Sequence, residues 1–474
     1  MTARNPAQAY VSITDFGAVG DGKTDNRAAI QNAIDTAKAK GLDVRVPEGT
    51  FIHNGTLKLN GVDMTGAGDK SVLKAVGKDQ AVILTGDGAS LTNLALDSDA
   101  TTRGTAGTTA KVLVKDASAF TIDGIKIANS HGAGILVQNS GWGRISDNRI
   151  DSTNADSIHM TNGTHHVLVQ GNRISHAEDD GIAVVSYNKW GSPTKDIVIS
   201  GNTVTDNEWG RNISTVGGEN VTIIHNTVDG NHGGKAGIYI AGETSYDTFG
   251  VRNVLVENNL VKNTGGTNTG HGGIMVFNKS AHVTDDVTVR DNAVVGSAKN
   301  GILVLGQGVV GADILGNMVS KSGGDAVATM GGAKNVTISG TYDGATGDAG
   351  AAFATPQHPH GIPADPSGTA ASAPAPQPAP LPPAPVVAPA PVVAPAPAPA
   401  PVVAPAPVVE QTLVFTPAAP VPAPVPAPMP DPVWTPAAEP APVAPAPLPV
   451  DAGFGDIGLV GLGAFDFGGF GASV

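Results

Sequence analysis

Seven times between Asn148 and Asn317 the chain repeats one short phrase: an asparagine, any residue, then isoleucine or valine. The phrase begins at Asn148, Asn172, Asn202, Asn226, Asn259, Asn292 and Asn317, at steps of 24, 30, 24, 33, 33 and 25 residues. A short alternating strand precedes the turn, as in Val167–Val169, Ile197–Ile199, Val221–Ile223 and Val287–Val289. Each repeat also carries a strand that opens with a small residue and isoleucine, as at Gly134-Ile135, Gly181-Ile182, Gly237-Ile238, Gly273-Ile274 and Gly301-Ile302. Self-similarity at this period, with β-branched runs and polar turns, means stacked coils, because one coil cannot bury its own apolar face. The expected fold is all-β: a right-handed, single-stranded parallel β-helix with an aliphatic core. The turn asparagine is expected to adopt the left-handed conformation and to ladder from coil to coil.

The open end of such a stack needs a cap. Asp25 or Thr24 is placed to N-cap a helix from about Asn26 to Lys40, with Ala29, Ile30, Ala33 and Ile34 as its apolar stripe and Gly41 as its stop. The segment Ile13-Thr14-Asp15-Phe16-Gly17-Ala18-Val19-Gly20-Asp21-Gly22-Lys23-Thr24-Asp25, this helix, and then Val46-Pro47-Glu48-Gly49-Thr50-Phe51 resemble the entry segment of the pectate-lyase-like superfamily. Polygalacturonases, tailspike depolymerases and alginate C5-epimerases begin in this way. The resemblance covers about residues 10–345 and is specific for fold and cap, not for reaction.

Proline divides the chain. Of 36 prolines, 33 lie from Pro356 to Pro449. Residues 1–9 therefore read as an N-terminal extension, 10–345 as the β-helix catalytic domain, 346–450 as a disordered Pro/Ala-rich linker of extended polyproline character, and 451–474 as a Gly/Phe-rich C-terminal segment. That last segment has two readings, an export signal engaging secretion machinery or a sticky tail. The absence of cysteine excludes disulfide, Fe–S, Cys–zinc and thiol chemistry. The net charge of −14 argues against nucleic acid as a partner. No apolar run reaches the roughly 18 residues of a membrane span. Residues 1–10 contain no apolar signal region, so the expectation is a bacterial secreted or cell-surface protein exported without an N-terminal signal.

The repeat also aligns itself. With Ile135, Ile158, Ile182, Ile213, Ile238, Ile274 and Ile302 as register, the residues two positions earlier include Asp156, Asp180 and Arg211. Equivalent positions on adjacent coils stack about 4.8 Å apart, so these three should form one column. Asp179 adjoins it, and His159, next to an inward isoleucine, should point outward. Alone, Asp156 reads as a turn residue. The adjacent carboxylates of Asp179 and Asp180 repel, which makes a purely structural pair costly. Crowded carboxylates cannot all ionise: one becomes an acid while another stays a base. That division suits glycosidic cleavage or proton abstraction from a uronic acid. Arg211 is placed to hold a substrate carboxylate. Lys235, Tyr239 and His271 flank the column, and Tyr187, Lys189, Trp190 and Trp209 lie in adjoining loops and suit sugar stacking. The loops Gly242–Gly250 and Gly265–Gly270 are placed to wall the same groove. His165 and His166 read as turn residues. Carboxylate clusters can take Ca²⁺, but there is no EF-hand or RTX pattern, and no cofactor or metal is expected.

Asn154-Ala155-Asp156 and Asp179-Asp180-Gly181 resemble two aspartate motifs of polygalacturonases. That resemblance implies an inverting hydrolase with Asp180 as acid and Asp156 and Asp179 activating water. Trp209 stands where the family has a histidine, and a later Arg-Ile-Lys motif is missing. Alginate C5-epimerases and related lyases are similar at Asp156, His159, Asp180 and Arg211 but carry a tyrosine where this chain has Ser152-Thr153-Asn154. The expected function is cleavage of an acidic extracellular polysaccharide by a glycoside hydrolase. Lyase or epimerase action on the same coils, and a non-catalytic adhesin or tailspike-like module, are the alternatives.

Overall fold

The computed structural model describes residues 9–279 and 282–344. The expected linker and C-terminal segment lie outside the described residues, as does most of the N-terminal extension.

The strands join into two wholly parallel sheets of 24 and 13 strands among the described residues. A representative coil runs Ile158–Thr161, bends, continues as His165–Gln170, turns at Asn172 and closes with Arg173–Ala177. The first two segments lie in the larger sheet and the third in the smaller. The molecule is a parallel β-helix. Its register is the one implied by the repeat: Ile135, Ile158, Ile182, Ile213, Ile238, Ile274 and Ile302 pair in succession. All seven are fully buried and form the aliphatic core with Val169, Ile199, Ile223 and Val256. Each buried side chain of this size contributes about 1.5–3 kcal/mol.

The asparagines do ladder. The Nδ2 of Asn148 donates to Oδ1 of Asn172 at 2.8 Å, and the pattern continues through Asn202, Asn226, Asn259, Asn292 and Asn317 at 2.8–3.0 Å. Each Oδ1 also accepts the backbone N–H of the preceding rung. Thr341 ends the ladder: its hydroxyl oxygen accepts from the backbone N–H and the Nδ2 of Asn317. The expected backbone conformation needs correcting. The left-handed residue is the one before each asparagine: Asp147, Gly171, Gly201, His225, Asn258, Asp291 and Gly316 all have positive φ. That residue turns the corner and leaves the asparagine free to point inward.

The cap helix spans Arg27–Lys40 and buries Ile30, Ala33, Ile34 and Ala37. Gly41, at φ 64°, closes it with an N–H to Ala37 and Lys38 carbonyls. Its start differs slightly from expectation. Asn26 holds the N-cap position but spends its side chain on Val19 and Thr24. Asp25 Oδ1 supplies the capping acceptor to Arg27 N–H at 3.0 Å. No described helix is long and apolar enough to cross a membrane.

Candidate active site

The strand beginning at Ile158 and its equivalents on the next coils carry the candidate site. Backbone pairing draws the column together, because each N–H reaches back to the carboxylate below it. Asp180 N–H donates to Asp156 Oδ1 at 2.9 Å, and Arg211 N–H donates to Asp180 Oδ1 at 2.6 Å. Asp179 rides beside the column. One oxygen from each of Asp156, Asp179 and Asp180 lies within 4.8 Å of the others. Gly210 makes the close approach feasible, since a Cβ there would fall 2.2 Å from the carbonyl carbon of Asp179. The expectation of a column facing open solvent is only partly met. The Asp179 side chain is 20% exposed, while Asp156 and Asp180 retain 12% and 6%. The acids line the floor of the site rather than its rim.

Each acid has a different partner. Asp156 Oδ2 meets His159 Nδ1 at 2.5 Å. Asp179 Oδ2 meets an Arg103 guanidinium nitrogen at 2.6 Å. Asp180 Oδ2 meets the Ser214 hydroxyl at 2.5 Å, and Arg211 stands 3.7 Å from its Oδ1. Burial alone would raise Asp156, but the charge and hydrogen bond of His159 outweigh it and hold Asp156 below the usual carboxylate range. His159 moves the opposite way: burial opposes its charge, but Asp156 wins and raises it. Burial and the negative charges of Asp156 and Asp180 push Asp179 up to about 7, against the pull of Arg103. Burial also raises Asp180 despite Arg211. The cluster is thus split into an ionised Asp156 and a proton-retaining Asp179–Asp180 pair.

Three carboxylates this close offer hard oxygen ligands of the kind Ca²⁺ takes. Arg103 and His159 already place positive charge against two of them.

Two of the expected substrate contacts turn out to be packing. Tyr239 is buried between His271, ring centroids 5.5 Å apart, and Phe277 at 6.2 Å, and its hydroxyl donates to Glu243 at 3.0 Å. His271 Nδ1 accepts the Ala236 N–H at 3.2 Å, and burial pushes its pKa down to about 3. Arg211 is also committed inward: it is ion-paired to Glu243 and lies 4.3 Å over the Tyr239 ring. It braces the floor instead of holding a substrate carboxylate, because its counter-ions are already on the protein.

The loop aromatics do stand at the margins. Tyr187 and Trp190 meet edge to face at 4.9 Å, with Lys189 Nζ 5.0 Å over Trp190. This loop is tied to the 243–250 loop through Asn188, whose N–H donates to Asp247 O at 2.9 Å. Trp209, partly exposed, carries Lys235 Nζ 3.2 Å above its ring. Burial and Arg211 lower Lys235 to about 8. The 265–270 loop packs on the turn at Gly234 and Lys235. A concavity of about 320 Å³ lies elsewhere, on the smaller sheet, lined by Lys126, Arg149, Asp151 and Arg173.

Three contributors escaped the sequence reading. Ser214 sits one position after Ile213, in the same column as His159, so the repeat carried its signal. Arg103 and Glu243 come from irregular loops, where no register points to them.

The family model for rhamnogalacturonase A/epimerase, pectate lyase-like, matches residues 10–239. No curated protein matches the sequence significantly. Among solved structures, the catalytic unit of a thermostable GH87 alpha-1,3-glucanase from Streptomyces thermodiastaticus is 21% identical, with TM-score 0.59, over 72% of this chain and 70% of that one. The A-module of a mannuronan C-5 epimerase from Azotobacter vinelandii is 18% identical, with TM-score 0.50, over 71% of this chain and 99% of that one. A GH87 alpha-1,3-glucanase catalytic domain in complex with nigerose is 17% identical, with TM-score 0.54, over 72% and 70%. At such identities the likeness is one of fold.

Proposed function

We propose that this chain, a parallel β-helix of the pectate-lyase-like superfamily, is a secreted glycoside hydrolase that cleaves an extended, acidic glycan laid across the coils of Asp156, Asp179 and Asp180. The observation that carries the reading is the split among three carboxylates within 4.8 Å: burial and mutual repulsion keep a proton on the Asp179–Asp180 pair, and His159 keeps Asp156 ionised. The pair gives its proton to the glycosidic oxygen as the bond to the anomeric carbon breaks. Asp156, steadied by His159, takes a proton from the water that adds to that carbon. Arg103 and Ser214 are positioning residues: each holds one oxygen of the pair. Lys235 on Trp209, and Lys189 on Trp190, offer cations over aromatic faces where a uronate unit would lie.

Hydrolysis is preferred to elimination or epimerisation because neither nearby phenol is a ready proton carrier. The hydroxyl of Tyr239 is bound to Glu243, and burial with the charges of Asp156 and Asp179 pushes Tyr187 upward. The likeness in fold to alpha-1,3-glucanases supports a glycan-cleaving reading, and the likeness to the mannuronan C-5 epimerase module supports a uronate as ligand.

The test is incubation of the full chain with polygalacturonate, alginate and neutral α-glucans. New reducing ends without an unsaturated product support hydrolysis, and Asp180→Asn should abolish them while glycan binding survives. Ultraviolet absorbance of an unsaturated uronate would show a lyase. An altered proton NMR spectrum without cleavage would show an epimerase. Binding with no chemistry on any glycan would show an adhesin and overturn the enzymatic reading.

A further inference from the structure

Near the start of the second strand of each of six coils stands one non-glycine residue with positive φ. From coil to coil these are Trp142, His166, Asp196, Asn220, Asn253 and Asp286, with φ between 52° and 56°. Strand register sets them one above another, with Gly141 opposite His165, His165 opposite Lys195, and Lys195 opposite Glu219. Four of the six are Asp or Asn, which a left-handed backbone tolerates. A tryptophan there is a steric outlier. The polar members tie into a surface ladder: Asn220 Nδ2 donates to Asp196 Oδ1, and Asn253 Nδ2 donates to Asn220 Oδ1, both at 2.8 Å. Trp142 instead lies flat on His166, ring centroids 4.0 Å apart and planes 20° apart, and stays 59% exposed. His166 is braced in turn, with His165 Nδ1 at 3.0 Å and the Asp196 carboxylate at 3.6 Å. The His165 ring fits because glycine opposes it: a Cβ at Gly141 would fall 2.3 Å from His165 Cε1. Two rings and one glycine therefore hold an unfavourably placed indole open to solvent. Stacking of this kind secures the ring but gives no reason for placing a tryptophan at this position. Backbone strain that is kept rather than relieved points to use.

We propose that Trp142, held on His166, is an outer glycan-binding platform that stacks on the C–H face of a pyranose unit of the bound chain, beyond the units held at the acids. The proposal rests on the reading of Asp156, Asp179 and Asp180 as a glycan site. An indole face is electron-rich and the axial C–H face of a sugar is its complement. One coil beyond His166, the loop carrying Tyr187 and Trp190 leads into the strand Lys195–Ser200 that holds Asp196. Ser192 of that loop comes within 3.4 Å of where a Gly163 Cβ would sit, which seats the loop on the bend that leads into His165 and His166.

The experiment uses the full chain carrying Asp180→Asn, run in gels containing polygalacturonate, alginate or carboxymethylated α-1,3-glucan. At least one glycan should retard it. Adding Trp142→Asn should weaken that retardation about five- to tenfold without lowering the melting temperature, because asparagine suits this φ. Trp142→Phe, which keeps a ring, should restore most of the binding. Unchanged retardation in Trp142→Asn, or a Phe variant as weak as the Asn variant, overturns the platform. No retardation of Asp180→Asn in any gel also overturns it, whereas cleavage of the same glycans by the wild-type chain would leave the reading of the acids standing.

Discussion

Replacing Asp179 by asparagine tests the electrostatics of the site directly. In the folded chain the Asp179 carboxyl titrates at about 7 against an ordinary 3.8, because burial, Asp156 and Asp180 oppose its charge more than Arg103 favours it. That gap is about three pH units wide, and at about 1.4 kcal/mol each it is worth about 4 kcal/mol. A fifth of the side chain remains exposed, so solvent screening reduces the usable figure to about 2–3 kcal/mol. The sign follows from proton binding. Between about pH 4 and about pH 7 the folded chain holds a proton that the unfolded chain has released. The contribution of Asp179 to stability is therefore fully present below about pH 4 and is lost as pH rises through about 7. Asparagine does not titrate. Urea unfolding of wild type and Asp179→Asn, measured from about pH 4 to about pH 8, should show the variant gaining about 2–3 kcal/mol relative to wild type across that window. The variant's activity should fall at least about a hundredfold at every pH, since half of the proton-holding pair is gone. A stability difference that does not change with pH would refute the argument, because Asp179 would then be an ordinary ionised partner of Arg103 with no proton to give.

Arg103→Met removes the cation that opposes protonation of Asp179, so the alkaline limb of the pH–rate profile should move upward by about one pH unit while kcat falls; an unmoved limb would show that the ion pair does not tune the acid. Asn226→Ala removes donors to Ile199 O, Ile224 O and Asn259 and the acceptor of two Asn202 N–H groups, which should cost about 3–6 kcal/mol in denaturant unfolding, against a smaller loss for the end rung Asn148→Ala. Lys111 is buried with its ammonium 2.5 Å from Gln80 Oε1, and burial lowers it to about 7. Unfolded chain binds this proton up to about pH 10, so stability should rise from about pH 7 to about pH 10, and Lys111→Met should flatten that rise and raise the melting temperature at neutral pH.

The legible part of this molecule was the part that repeats. The run of register isoleucines, the asparagine ladder and the column of Asp156, Asp180 and Arg211 follow from one rule, that equivalent positions stack, and every coil restates it. The same rule held Ser214, one place beyond Ile213. What it could not reach were the loops. Arg103 arrives from an irregular stretch and Glu243 from the loop just past the strand Ile238–Gly242, and their partners are fixed by tertiary contact alone. Glu243 decides the fate of Arg211: a guanidinium that looks available in a column of letters is already engaged once a loop carboxylate stands beside it. Tyr239 and His271 misled for a related reason. An outward strand position faces solvent only where no loop covers it. His166, an ordinary turn residue by sequence, gained its interest from Trp142 twenty-four residues away.

The asparagine ladder makes identical demands at each level: one amide received from below, one handed on above. Such a column has no preferred height. Cutting out residues 260–292 would join Asn259 to Ala293, recreate the three-residue phrase with Val294, and seat Asn259 directly against Asn317. The tower would lose one storey above the acids, and its remaining floors would still meet. The number of coils can thus change by whole storeys without breaking the ladder, although a storey that carries His271 and Phe277 would take the packing of Tyr239 with it.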